Sequence, residues 1–135
     1  MNFMDWDPTF SVNISQFDSH HKDLIRLINE AHDNYVTCAS KEATRVIIDR
    51  LVDYAQYHFS SEEKWMKDHS YAELDWHTVE HNAFWHKIFD FQADYKNGEK
   101  QLSIEVLNFL KDWLMDHICT TDAAYGRFAA TLMQI

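Results

Sequence analysis

His58 and Glu62 stand four residues apart, and His77 and His81 repeat that spacing after a short break, all within the stretch HFSSEEKWMKDHSYAELDWHTVEH. Residues at i and i+4 lie one above the other on an α-helix, so each pair aims two metal-ligating groups at one point. A turn between the pairs folds the helices back on each other and brings the four groups together. Imidazole is the commonest metal ligand, and a carboxylate set in an apolar stripe needs a charged or hydrogen-bonding partner. The chemistry this spacing suits is metal binding inside a helix bundle.

Three further candidates lie outside that hairpin. His21 falls on an apolar stripe near the start of the chain. His117 and Asp122 fall on another near its end, five residues apart. That is about 140° around a regular α-helix, so they flank a centre from two sides without stacking. His32 shares a face with His21 but sits ~16 Å further along at about 1.5 Å per residue, too far to join the same centre. It is expected to be a core or end-layer histidine. His69, in the turn of the hairpin, and His86 are expected to be exposed and non-ligating.

Four helices must position these groups. The first is expected over about 18–37, with Phe17, His21, Leu24, Ile25, Ile28 and Tyr35 on one face at helical spacing. The second, about 41–67, carries a stripe of Ile47, Ile48, Leu51, Ala55, His58, Phe59, Glu62 and Met66, with Glu63 pointing elsewhere into solvent. The third, about 71–96, opens on Ser70 and Glu73 at capping-box spacing and closes at Asn97-Gly98. Its stripe is Leu74, His77, His81, Phe84, Trp85, Ile88 and Phe91. The fourth, about 103–131, opens near Ser103 and lines its inner face with Leu107, Leu110, Leu114, His117, Ile118, Thr121, Tyr125 and Phe128. Residues 1–16 keep no helical period and read as an ordered arm closing one end. Amphipathic helices joined by short connections imply an all-α, antiparallel up-and-down four-helix bundle, one domain over residues 1–135.

Composition agrees and excludes other classes. A chain of 135 residues with two Gly and one Pro fits a single helical domain. Twelve basic against 22 acidic residues give a net charge of −10, which disfavours nucleic acid and anionic membrane. No run of about 18 apolar residues offers a membrane span, and the first residues lack the basic and apolar regions of a signal peptide. Cys38 and Cys119 form no CxxC and read as reduced, partly buried thiols of a cytoplasmic protein. Nine histidines are far more than such a domain needs for packing.

Taken singly, each motif is weak, since a lone His on an apolar face is more often a satisfied core residue than a ligand. The coincidence carries the weight. Five histidines and two carboxylates fall on inward faces, and burying seven such groups without a cation carries a heavy desolvation cost. Two rival metal sites fit less well. His77-Thr-Val-Glu80-His81 matches the inverted zinc-peptidase pattern H-x-x-E-H. That reading leaves His21, His58, Glu62, His117 and Asp122 unexplained, and Glu80 is better read as solvated or as orienting a ligand imidazole. A ferritin-like oxidase uses Glu-x-x-His motifs, and the sequence contains none.

The combined set DSHH21KDL24, H58FSSE62E63, H77-xxx-H81 and W113-L-x-D-H117-I-xxx-D122-xx-Y125 resembles the hemerythrin family, its single-domain bacterial members above all. The resemblance spans nearly the whole chain, including the Trp6 arm. One departure is His20, where the family usually has Gln; His21 keeps the spacing to Leu24 and the face shared with Phe17 and Ile28. The resemblance implies a cofactor of two iron ions with an oxo or hydroxo bridge. His77, His81 and His117 would bind one iron and His21 and His58 the other, with Glu62 and Asp122 bridging. The second iron would keep an open position for dioxygen, and Leu24, Phe59, Trp113 and Ile118 match the family's apolar pocket around it. The function so implied is reversible dioxygen binding for storage, transport or delivery in the cytoplasm, without enzymatic turnover. An oxygen or redox sensor acting on a signalling partner, and a di-iron oxidase or peroxidase, are the alternatives. An oxygen-consuming or signalling protein is the partner these readings imply.

Overall fold

A computed structural model describes residues 3–132; Met1, Asn2 and residues 133–135 of the expected domain lie outside it. The elements are a short 3-10 turn at Pro8–Phe10, then α1 (Ser15–Val36), α2 (Lys41–Asp68), α3 (Leu74–Lys96), α4 (Ile104–Asp116), a π turn (His117–Asp122) and α5 (Ala123–Leu132). Residues on both sides of the π turn keep right-handed helical dihedrals, so α4, the π turn and α5 form one rod. The chain is an all-α, antiparallel up-and-down four-helix bundle, with α1 packed against α2 and α4, and α2 against α3.

Short polar residues set the helix ends. Ser40 and Ser103 cap α2 and α4 by accepting from the amides of Ala43 and Val106. Gly98, at φ +76°, takes the left-handed position just past α3, as the Asn97-Gly98 pair predicts. The expected capping box at the start of α3 does not form. Ser70 instead has φ 55° and closes α2, with the Tyr71 amide reaching back to the Met66 carbonyl at 2.8 Å. Helix α3 therefore starts at Leu74, with no side-chain bond at its cap residue Glu73. Helix α1 begins earlier than expected, at Ser15, because Asp18 in its first turn accepts from the Val12 amide at 2.8 Å and from Ser11 Oγ at 2.6 Å.

Two apolar clusters flank a polar layer. The larger runs through Leu24, Ile28, Leu51, Phe59, Phe84, Ile88, Leu110, Leu114 and Ile118, with Met4 from the arm. The smaller joins Val12, Phe17, Met66 and Tyr125 beneath the arm. Between them, α1 contributes His21, α2 His58 and Glu62, α3 His77 and His81, and the π turn His117 and Asp122, all at one level. Antiparallel order produces this, since residues early in α1 and α3 lie beside residues late in α2 and near the middle of the α4–α5 rod. Tyr35, expected on the inner face of α1, is 40% exposed because it lies in the last turn, beyond the bundle's packing. Both cysteines are free and exposed rather than partly buried. No helix among the described residues is long and apolar enough to cross a membrane.

Candidate metal centre

The five histidines and two carboxylates singled out from the sequence all meet in that layer, none of them more than 2% exposed. Their ligating atoms fall into two overlapping groups. One holds Glu62, His77, His81, His117 and Asp122, and the other His21, His58, Glu62 and Asp122, with the atoms of each group within 4.8 Å of one another. Both carboxylates belong to both groups. One group has three histidines and the other two.

The close contacts converge without behaving as a hydrogen-bond network. His77 Nε2 lies 2.8 Å and His117 Nε2 2.9 Å from Asp122 Oδ1, and His21 Nε2 lies 3.0 Å from Asp122 Oδ2. His58 Nε2 and His81 Nε2 stand 3.1 and 3.3 Å from Glu62 Oε1. Yet eight buried side-chain polar atoms among the described residues lack a hydrogen-bond partner, and seven are here: both ring nitrogens of His21, His58 Nε2, His77 Nε2, Glu62 Oε1 and both Asp122 oxygens. An orphaned buried polar atom costs about 1–3 kcal/mol, and more where the group is charged. That many in one layer points to a partner that accepts lone pairs, and a metal ion does so. Nitrogen and carboxylate donors, two of them shared, fit a pair of cations.

The π turn places His117 and Asp122. On a regular α-helix they would diverge by about 140°, and the sequence spacing predicts that they flank the centre without stacking. The wider turn of six residues brings them into contact at 2.9 Å. Single π turns of this kind concentrate at functional sites.

Outer partners orient the rings. His81 Nδ1 lies 2.9 Å from Glu63 Oε2 and His117 Nδ1 3.1 Å from Glu80 Oε1. Thr121 Oγ1 donates to the other Glu80 oxygen at 2.8 Å. Glu63 is thus not a solvated bystander, because its side chain reaches round the helix to the ring of α3. His20, whose role the sequence leaves open, is buried with its Nδ1 2.9 Å from His58 Nδ1. Tyr125 is fully buried and its hydroxyl donates to Glu62 Oε2. The signal for it was present, since a phenol on an inner face needs an acceptor. His69 and His86 are exposed, and His32 stacks on Phe3 at 4.3 Å, outside the layer.

Without metal, the layer holds protons instead. Burial pushes Glu62 and Asp122 up, but the surrounding imidazoles outweigh it and hold both well below the usual carboxylate range. Burial pulls His117 and His21 down, while the adjacent carboxylates more than reverse this and raise them to about 10 and about 9. His58 is lowered by burial.

A family model described as the hemerythrin HHE cation binding domain matches residues 12–129. The chain belongs to the hemerythrin family. It is 32% identical over 127 residues to a bacteriohemerythrin of Methylococcus capsulatus, covering 93% of this chain and 96% of that one. It is also 32% identical over 120 residues to a myohemerythrin of Theromyzon tessulatum, covering 89% and 88%. A crystal structure of wild-type hemerythrin superposes with a TM-score of 0.88 at 31% identity, covering 93% of this chain and 96% of that chain.

In this hemerythrin-family chain, Leu24, Phe59, Trp113 and Ile118 pack together in the larger apolar cluster. Phe59 stacks on His81 at 4.1 Å and lies 5.7 Å from His58, so it borders both groups. Trp113 stacks on His117 at 4.4 Å and is backed by Phe84 at 4.0 Å. A cleft of about 660 Å³ between Trp76, Glu80, Thr121 and Trp113 reaches His77 and His117 from the surface.

Proposed function

We propose that this chain binds dioxygen reversibly at a non-haem di-iron centre. His77, His81 and His117 would hold one iron, His21 and His58 the other, and Glu62 and Asp122 would be shared. The observation that carries this reading is the asymmetry of the two groups: they share both carboxylates but differ by one histidine. A reactive metal site keeps a ligand position open, where a structural one closes it. A pair of ferrous ions would supply the electrons and the vacant position that reversible dioxygen capture uses.

The chain's own residues do the rest. Glu63 and Glu80 accept from the outer nitrogens of His81 and His117, which fixes the tautomers of those rings and keeps their inner nitrogens free to ligate. Tyr125 donates to Glu62 and holds it in place. Leu24, Phe59, Trp113 and Ile118 exclude water beside the layer, which protects a captured ligand from displacement. This arrangement favours an oxygen-binding protein for storage, transport or delivery over a catalyst. The two exposed free thiols suit the reducing cytoplasm as its location, and an oxygen-consuming protein is the client that a dioxygen store or carrier would serve.

Metal analysis combined with visible spectroscopy tests the reading. Two irons per chain are expected, one for each ligand group. A charge-transfer band should appear when dioxygen meets the reduced protein and vanish on deoxygenation. A colourless protein holding one zinc overturns the proposal, and sustained turnover with peroxide and a reductant replaces it with an enzyme.

A further inference from the structure

Two imidazole nitrogens face each other inside the protein: His20 Nδ1 and His58 Nδ1, 2.9 Å apart, on rings 6% and 0% exposed. One of a facing pair must donate and the other accept. His58 Nε2 points into the layer, 3.1 Å from Glu62 Oε1 and without a hydrogen-bond partner. A histidine that gives its Nε2 lone pair to a metal keeps its proton on Nδ1. That proton then has one acceptor, His20 Nδ1, and the His20 proton must sit on its own Nε2. We propose that His20 is the positioning residue of the two-histidine half of the centre. As a neutral acceptor it fixes the tautomer and rotation of His58.

The rest of the structure sharpens this role. His81 and His117 pass their Nδ1 protons to carboxylates, Glu63 and Glu80. A carboxylate acceptor makes an imidazole a stronger donor to metal, whereas a neutral imidazole does so less. His21 Nδ1 has no partner at all. The two halves therefore differ in the charge behind their histidines as well as in ligand number, and His20 is the single outer hydrogen-bond partner the described residues give the histidines of the two-histidine half. Its ring is wedged by Tyr57 at 5.2 Å, Phe17 at 5.7 Å and Tyr54 at 5.9 Å, and the Tyr54 hydroxyl is tied to Asp23 at 3.0 Å. These contacts hold the His20 ring against His58. The family's usual Gln at this position would offer an amide oxygen as acceptor; a leucine would offer none.

The inference rests on the two-metal reading above, and the experiment separates the two. Ferrous ion is titrated anaerobically against a chelator into the full chain and into His20→Leu and His20→Gln, with circular dichroism as a folding control. The wild type is expected to take up two ions per chain, matching its two ligand groups. In His20→Leu the tighter ion should be retained and the weaker one bound about 10–100-fold less tightly. His20→Gln should restore most of that loss. Unchanged uptake by His20→Leu overturns the positioning role, as does an equal loss in both variants, which marks mere packing. Nitrogen-15 histidine spectra of the zinc-loaded wild type read the same point without any variant. The proton is expected on His58 Nδ1, and a proton on His20 Nδ1 overturns the proposal. A wild-type chain that takes up fewer than two ions defeats the two-metal reading and this inference with it.

Discussion

Gly126 lies within α5, where alanine is ordinarily the better residue by about 1 kcal/mol. In this chain the sign should reverse. A Cβ there would stand 2.9 Å from the Val12 carbonyl oxygen and 3.0 Å from Val12 Cα, both backbone atoms of the arm. The arm has little room to retreat. Val12 is buried against Phe17, Met66 and Tyr125, its amide donates to Asp18 at 2.8 Å, and Asn13 Nδ2 donates to the Gly126 carbonyl at 3.1 Å. Overpacking costs about 1–3 kcal/mol, and a lost hydrogen bond adds about 0.5–1.5 kcal/mol. Set against the propensity gain of about 1 kcal/mol, Gly126→Ala should be destabilised by roughly 2 kcal/mol. For a domain of this size that is a fall in Tm of roughly 5–10 °C. Thermal melts followed by circular dichroism check it. The decisive arm is the same substitution after removal of residues 1–13: with Val12 gone, the alanine should raise Tm. An unchanged or higher Tm in the full chain, or the same sign in both backgrounds, refutes the reasoning.

Four further outcomes follow from the layer and its border. Loading the metal-free chain at pH 7 should release about two protons or more, because His21 and His117, raised to about 9 and about 10, must lose theirs to ligate. The number should fall as pH rises past those values, and calorimetry in buffers of different ionisation enthalpy reads it; no release would contradict the assignment. The same shifts make the metal-free fold less stable with rising pH. Raised histidines contribute stability that is complete below about 6.5 and lost as pH climbs through about 9 and 10. Tyr125→Phe removes the hydroxyl that donates to Glu62 and should cost the metal-free chain about 1.5–3 kcal/mol in denaturant unfolding, the usual range for a bond to a charged group. Trp113→Ala and Leu24→Ala should let water into the apolar border and speed autoxidation of the oxygenated protein; unchanged rates in both would remove those residues from the pocket.

What the sequence made legible depended on helical regularity. His58 with Glu62, and His77 with His81, were readable because i and i+4 share a face on any α-helix. His21 was readable because its stripe of Phe17, Leu24 and Ile28 keeps the same period. Glu63 was misplaced for a different reason. It lies one position, about 100°, round the helix from Glu62, but a glutamate is long enough to reach His81 from there, and face-counting ignores reach. Ser70 was misplaced because its side chain suits a helix start while its backbone serves a helix end, in the left-handed conformation that closes α2.

The least legible feature is the one on which the site depends most. Nothing in His117-Ile-Cys-Thr-Thr-Asp122 announces a π turn, and at 100° per residue Asp122 points well away from His117. The wider turn rotates Asp122 into the layer, where its two oxygens face His77 and His117 on one side and His21 on the other. On a regular helix through the same residues Asp122 would stand about 140° from His117, leaving Glu62 as the sole shared carboxylate. The turn is braced from α3, with Thr121 bound to Glu80 and Glu80 bound to His117. The bond that orients a ligand ring therefore also braces the turn that presents the second carboxylate. Loss of Glu80 should loosen both at once.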